Sequence, residues 1–191
     1  MNNIVCFDLE VSNNGKILDI GAVNQNGDIF HSSVLGEFLK FISSAEYLCG
    51  HNIVSHDFKY LKPFLKKSYK LIDTLYLSPI LFPERPYHNL VKDDKIISDQ
   101  LNNPLSDSLK AKQLFEDEFE RFKDLPENIK RSYYDLLNEN DHFKGFFEYA
   151  QYSSNRFSYL FNSKADNISE ILKGMVCSKA RTADSVRRKT P

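Results

Sequence analysis

Two acidic residues sit inside the first apolar stretch of the chain, Ile4-Val5-Cys6-Phe7-Asp8-Leu9-Glu10. β-Branched and aromatic residues dominate that stretch, so it reads as a buried strand. Side chains alternate along a strand, which puts Asp8 and Glu10 on one face and Val5, Phe7 and Leu9 on the other. At the strand rise the two carboxylates start about 6.6 Å apart. Like charges at the end of a core strand repel each other and resist loss of water. A divalent cation with oxygen ligands is the simplest group to neutralise them.

Two more acids stand in informative settings. Asp57 follows Cys49-Gly50-His51-Asn52-Ile53-Val54-Ser55-His56, a strand end that runs into a helix start. Asp107 lies in the first turn of a helix announced by Asn103-Pro104, an N-cap followed by a first-turn proline. Taken alone, each also reads as an acid complementing a helix dipole.

The elements that must position these four are visible as periodicities. A hairpin follows the first strand, with a turn at Asn13-Asn14-Gly15 and a return strand over Ile17 to Val23. Ile29 to Val34 reads as a third strand, and Tyr47-Leu48-Cys49-Gly50 as a short one. Phe38, Phe41 and Ile42 have helical spacing, as do Asp57, Phe58, Leu61, Phe64 and Leu65, with Pro63 shortening or kinking that helix. Leu71 to Leu75 reads as another strand, and Pro79, Pro83 and Pro86 mark a loop. A helix carries Asp107, Ala111 and Leu114 on one face and breaks near Pro126. Helical spacing of aromatic residues then runs from Ile129 to Leu172. Antiparallel strands first, then strands alternating with helices, predict an α/β domain with a mixed sheet.

The 191 residues suffice for one domain with an appendage, and an apolar content of 41% suffices for its core. The division expected is a core over 1–125, a helical C-terminal extension over 126–175, and a basic, disordered tail over 176–191. A formal net charge of −1 announces no global field for nucleic acid. Cys6, Cys49 and Cys177 show no CxxC spacing, and the first two read as small core residues. No signal peptide or membrane span is evident, so a cytoplasmic location and no membrane partner are expected.

With these residues in view, the chain resembles the DnaQ-like, or DEDD, 3′–5′ exonucleases. Phe7-Asp8-Leu9-Glu10 is similar to their first motif, DxE. Ile17-Leu18-Asp19-Ile20-Gly21-Ala22-Val23 is similar to the hairpin strand that follows. Gly50 to Leu61 is similar to the second motif, HNxxFDxxxL, with His56 in place of the usual aromatic. Ile72-Asp73-Thr74-Leu75 is similar to the strand before the third motif, and Asn102 to Asp107 occupies that motif. The likeness covers residues 1–120. More narrowly, Pro86-Tyr87-His88-Asn89-Leu90 and Leu101 to Ser108 resemble the exonuclease-like segment fused ahead of RecQ-type helicases in some bacteria.

The resemblance implies an RNase H-like fold, with a mixed five-stranded sheet flanked by helices and a helical C-terminal appendage. It implies that Asp8, Glu10, Asp57 and Asp107 hold two Mg²⁺ or Mn²⁺ ions for phosphodiester hydrolysis at 3′ ends of DNA, with RNA open as well. Nucleoside 5′-monophosphates would be released, and a RecQ-type helicase would be a partner in cis or in trans. Leu9 and Val11 stand where the family wedges the terminal nucleotide; His51 and Asn52 are expected to contact substrate, with hydrogen bonding within the Gly50-His51-Asn52 turn the alternative for each. One departure matters. The DEDDh branch has a histidine base five residues before its last Asp, and Asn102 stands there, with Asn103 in the tyrosine branch's place. Losing a positioned base costs about 10²–10⁴ in rate. Three readings follow: Asn102 orients a water activated by metal, His88 swings in from the preceding loop, or the chain is a weakly active or inactive nucleic-acid-binding or adaptor module. For Tyr87, burial in the core is favoured over stacking on a base.

Overall fold

The structure, a computed structural model, describes residues 3–90 and 103–153. It is an α/β architecture in three layers, a five-stranded mixed sheet with helices on both faces. The strands are β1 (Ile4–Val11), β2 (Ile17–Asn24), β3 (Ile29–His31), β4 (Tyr47–Gly50) and β5 (Lys70–Asp73). Their order across the sheet is β3-β2-β1-β4-β5. β1 pairs antiparallel with β2 and parallel with β4, and β4 pairs parallel with β5. This order and mix of directions is compatible with an RNase H-like fold.

The helices are α1 (Leu35–Phe41), α2 (Asp57–Leu61, followed by a 3₁₀ turn Lys62–Phe64), α3 (Thr74–Leu81), α4 (Pro104–Asp124), α5 (Glu127–Leu137) and α6 (Lys144–Tyr149). None of the helices among the described residues is long and apolar enough to cross a membrane.

Strand alternation divides the core cleanly. Val5, Phe7, Leu9, Ile20, Ala22 and Leu48 turn to one face, where Phe38 of α1 and Leu61 of α2 cover them. Ile4, Cys6, Val23, Tyr47, Cys49 and Ile72 turn to the other, beneath Phe115 and Phe122 of α4. Cys6 and Cys49 are buried free thiols, as their apolar settings predict. The predicted appendage is helical as far as it is described. Ile129, Tyr133, Phe143, Phe146 and Phe147 join the second of these clusters. The last of these helices also covers the β5 edge: a Cβ on Gly145 would lie 2.0 Å from the Leu71 carbonyl oxygen. A covered edge strand has no open ladder to offer another chain.

Three sequence expectations need correction. The strand expected over Leu71 to Leu75 ends at Asp73, and Thr74 begins α3. The Asp73 carboxylate, accepting the Leu75 N–H, caps that helix and forces the switch. Pro79 consequently lies inside α3 rather than in a loop, giving up one helical N–H. The third strand is also shorter than expected, ending at His31. Asn102, the stretch of aromatics beyond Ser153 and the basic tail lie outside the described residues.

The buried stripe of α4 contains one charged residue. Ser108, Ala111, Phe115, Glu118 and Phe122 recur at helical spacing, and Glu118 is 0% exposed. Both its carboxyl oxygens are without a hydrogen-bond partner among the described residues. Burial, reinforced by the nearby Asp73 carboxylate, pushes its pKa up to about 10. The folded chain therefore holds a proton that the unfolded chain releases above about pH 4.5, and stability falls as pH rises from there toward 10. Replacing Glu118 by Met is expected to stabilise the protein by about 1–3 kcal/mol at pH 8 and by less at pH 5. Urea unfolding at the two pH values measures this, and a loss of stability at pH 8 would contradict it.

Candidate functional site

The four acids come together. Asp8 and Glu10 from β1, Asp57 from α2 and Asp107 from α4 line one cavity of about 560 Å³. Leu9, His51, Asn52, His56, Leu75, Asn89 and Leu90 complete its walls. The cavity opens at the C-terminal end of β1, next to a register shift between Glu10 and Val11. Such bulges re-aim side chains at sheet ends.

Each acid is delivered by a local device. Asp8 and Glu10 follow from strand alternation. Opposite Glu10 in the register stands Asp19, whose carboxylate is engaged by His31 Nε2 at 2.9 Å. Asp57 is buried and accepts the Leu9 N–H at 3.1 Å, a bond that ties the α2 start to β1. Burial pushes its pKa up to about 6, against the opposing pull of His56, whose Nδ1 lies 3.5 Å away. Loss of water around the Asp57 carboxylate therefore outweighs the hydrogen bonds and the His56 ring that favour its charged form.

Asp107 depends on Gly21. Gly21 faces Asp8 across the hairpin, on the sheet face that α4 covers. A Cβ there would lie 2.0 Å from the Leu105 nitrogen and 2.1 Å from the Pro104 carbonyl carbon. The first turn of α4 therefore rests directly on the β2 backbone. Asn103 starts the helix as predicted, its side-chain oxygen accepting the N–H groups of Leu105 and Ser106.

A third device holds the wall between β4 and α2. The fully buried Asp73 accepts the N–H groups of Asn52 at 2.9 Å and Val54 at 3.1 Å, besides capping α3. Burial raises its pKa, opposed by those same N–H bonds. Asn52 has φ 66°, a left-handed conformation that asparagine tolerates well. Thr74 donates to the Gly50 carbonyl and so accepts from His51 Nδ1 at 3.0 Å. Burial, opposed by the Asp107 charge, pushes the His51 pKa down to about 4, so its ring is neutral at pH 7.

The other expected site residues fall as follows. His51 and Asn52 line the cavity. Leu9 does too, but its side chain belongs to the opposite core and its N–H is what serves the site. Val11 packs at the margin of that same core and does not line the cavity. His88 lines a neighbouring cavity, where its Nδ1 is 2.9 Å from Ser78 Oγ. Sequence reasoning missed the supporting residues. Gly21 and Asp73 sit inside stretches whose likeness to the family was noted, yet neither carries a pattern that announces its role.

The donor set is carboxylate oxygen, which suits hard divalent cations. As the side chains stand, no three His, Cys, Asp or Glu among the described residues form a group that could hold a metal ion. The acids line the cavity without closing into a finished cluster. A cleft of similar volume, about 550 Å³, lies against β5 and α6, lined by Lys59, Lys62, Lys70 and Lys144, and contains none of the four.

No family model and no curated protein matches the chain.

The packing at Gly21 yields a sharp comparison. Gly21→Ala is expected to destabilise the fold by about 1–3 kcal/mol or more, because backbone cannot move aside as a flexible side chain can. Gly36→Ala, in α1 with nothing within 4 Å of the added Cβ, should be stabilising by about 0.5–1 kcal/mol. Urea unfolding of both variants measures the difference, and equal stabilities would show that α4 does not rest on Gly21.

Proposed function

We propose that the chain is a metal-dependent 3′–5′ exonuclease of the DnaQ-like type, with an RNase H-like core, acting on DNA. The observation that carries this reading is the arrival of Asp8, Glu10, Asp57 and Asp107 from three separate elements in one cavity. Their chemistry fits two Mg²⁺ or Mn²⁺ ions, and these four residues would hold them. When bound, such ions supply water activation and stabilisation of a leaving 3′ oxygen.

The chain's own groups supply position. The Leu9 N–H fixes one oxygen of Asp57. Asp73 and Thr74 fix the His51-Asn52 turn at the cavity wall. The Asn52 side chain at the cavity wall offers a polar contact to a nucleotide. The engagement of His88 by Ser78, in the neighbouring cavity, speaks against its use as general base. Asn102 would then orient the water, and bound metal would supply its activation. The likeness of Pro86 to Leu90 and Leu101 to Ser108 to helicase-fused segments makes a RecQ-type helicase the protein partner we favour.

A second reading, a nucleic-acid-binding or adaptor module, draws on the open spacing of the carboxylates. One assay separates the two. A 5′-labelled single strand incubated with Mg²⁺ or Mn²⁺ should shorten from its 3′ end and release mononucleotides. Chelation should stop the reaction, and Asp8→Ala or Asp107→Ala should slow it at least about a hundred-fold. Binding without mononucleotide release supports the module. Equal turnover by Asp8→Ala removes these carboxylates from the chemistry.

A further inference from the structure

A second cavity, of about 460 Å³, adjoins the acidic one, and Asn89 and Leu90 line both. The change of character between them is abrupt. The first is walled by four carboxylates. The second is lined by Arg85, Lys110 and Tyr87, with Asp117 as its acid. Tyr87 is 83% exposed, which overturns the expectation that it is buried in the core. A tyrosine ring left in water beside two cations is a surface for an aromatic anion.

The Arg85 guanidinium and the backbone that carries the ring are held in place. The Arg85 guanidinium lies over the Phe82 ring at 3.8 Å, and its backbone N–H donates to the Phe82 carbonyl at 3.0 Å. Among the described residues it has no carboxylate within ion-pair distance. His88, beside Tyr87, is anchored by Ser78 at 2.9 Å. Pro86 fixes φ just before the tyrosine. The segment thus presents a ring and a guanidinium from a braced support.

We infer that this second cavity receives the nucleotide just upstream of the scissile bond, with its base stacked on Tyr87 and phosphate oxygens met by Arg85 and Lys110. The assignment rests on the nuclease reading of the acidic cavity and adds a substrate class to it: an unpaired strand, because a base engaged in a duplex stack has no free face for Tyr87. The chemistry matches single-strand recognition, in which a stacking aromatic and flanking cations act together without reading sequence. A volume of this size accommodates one nucleotide.

The test is fluorescence anisotropy of a short labelled oligothymidylate with the full chain, in Ca²⁺ so that binding is read without turnover. Tyr87→Ala should weaken binding about ten-fold, and Tyr87→Phe should restore it. An abasic unit next to the 3′-terminal nucleotide should weaken binding to the wild-type chain equally, and should weaken Tyr87→Ala no further. A blunt duplex should bind wild type and Tyr87→Ala alike. The inference is overturned if Tyr87→Ala binds the single strand as wild type does, if the abasic loss persists in that variant, or if no single strand binds. Failure of the two readings looks different. Tyr87-dependent binding without mononucleotide release sinks the exonuclease and leaves the subsite. Release that proceeds alike in wild type and Tyr87→Ala sinks the subsite and leaves the exonuclease.

Discussion

The backbone of Leu105 occupies the place where a side chain on residue 21 would be. That close contact between α4 and β2 is the constraint on which the candidate site depends. Asp8 and Glu10 are fixed by the strand they belong to, and Asp57 is fixed by the Leu9 N–H. Asp107 arrives from fifty residues beyond Asp57, and only because the first turn of α4 can settle onto bare backbone opposite Asp8. The Asn103 cap and Pro104 then define where the helix starts, and so which residue faces the cavity.

The second constraint is electrostatic. Four acids in one cavity, one of them buried with its pKa near 6, make an arrangement that costs free energy. A fold tolerates such a cost where function requires it. The same chain keeps Glu118 protonated in its core and the Asp73 carboxylate hydrogen-bonded by backbone N–H donors. Those two are buried acids with structural explanations. Asp57 differs, because it faces a cavity shared with three other acids.

Much of this was legible beforehand, and the reasons are physical. Alternation in β1 is strict, so the face carrying Asp8 and Glu10 follows from the sequence alone. The Asn103-Pro104 pair has one dominant meaning, and the helix begins there. Ile72-Asp73-Thr74-Leu75 misleads because two β-branched residues flank an acid that caps a helix; local composition favours a strand, while three backbone N–H groups converging on Asp73 decide otherwise. Pro79 misleads for a related reason, since packing of Leu77 and Leu81 in the core keeps a helix through a residue that weakens it. The roles of Gly21 and Glu118 depend on what lies across the fold from them. Tyr87 could not be placed from pattern, because its exposure is set by a segment with no periodicity.

The proposed function requires Asp8, Glu10, Asp57 and Asp107 to bind divalent cations together. Titration of the chain with Mn²⁺, followed by electron paramagnetic resonance of the free ion, measures this without any substrate. The account predicts uptake of two ions at neutral pH and a marked loss of affinity in Asp8→Asn and in Asp107→Asn, with the fold retained. Undiminished Mn²⁺ uptake by a chain in which both carboxylates are neutralised would contradict it.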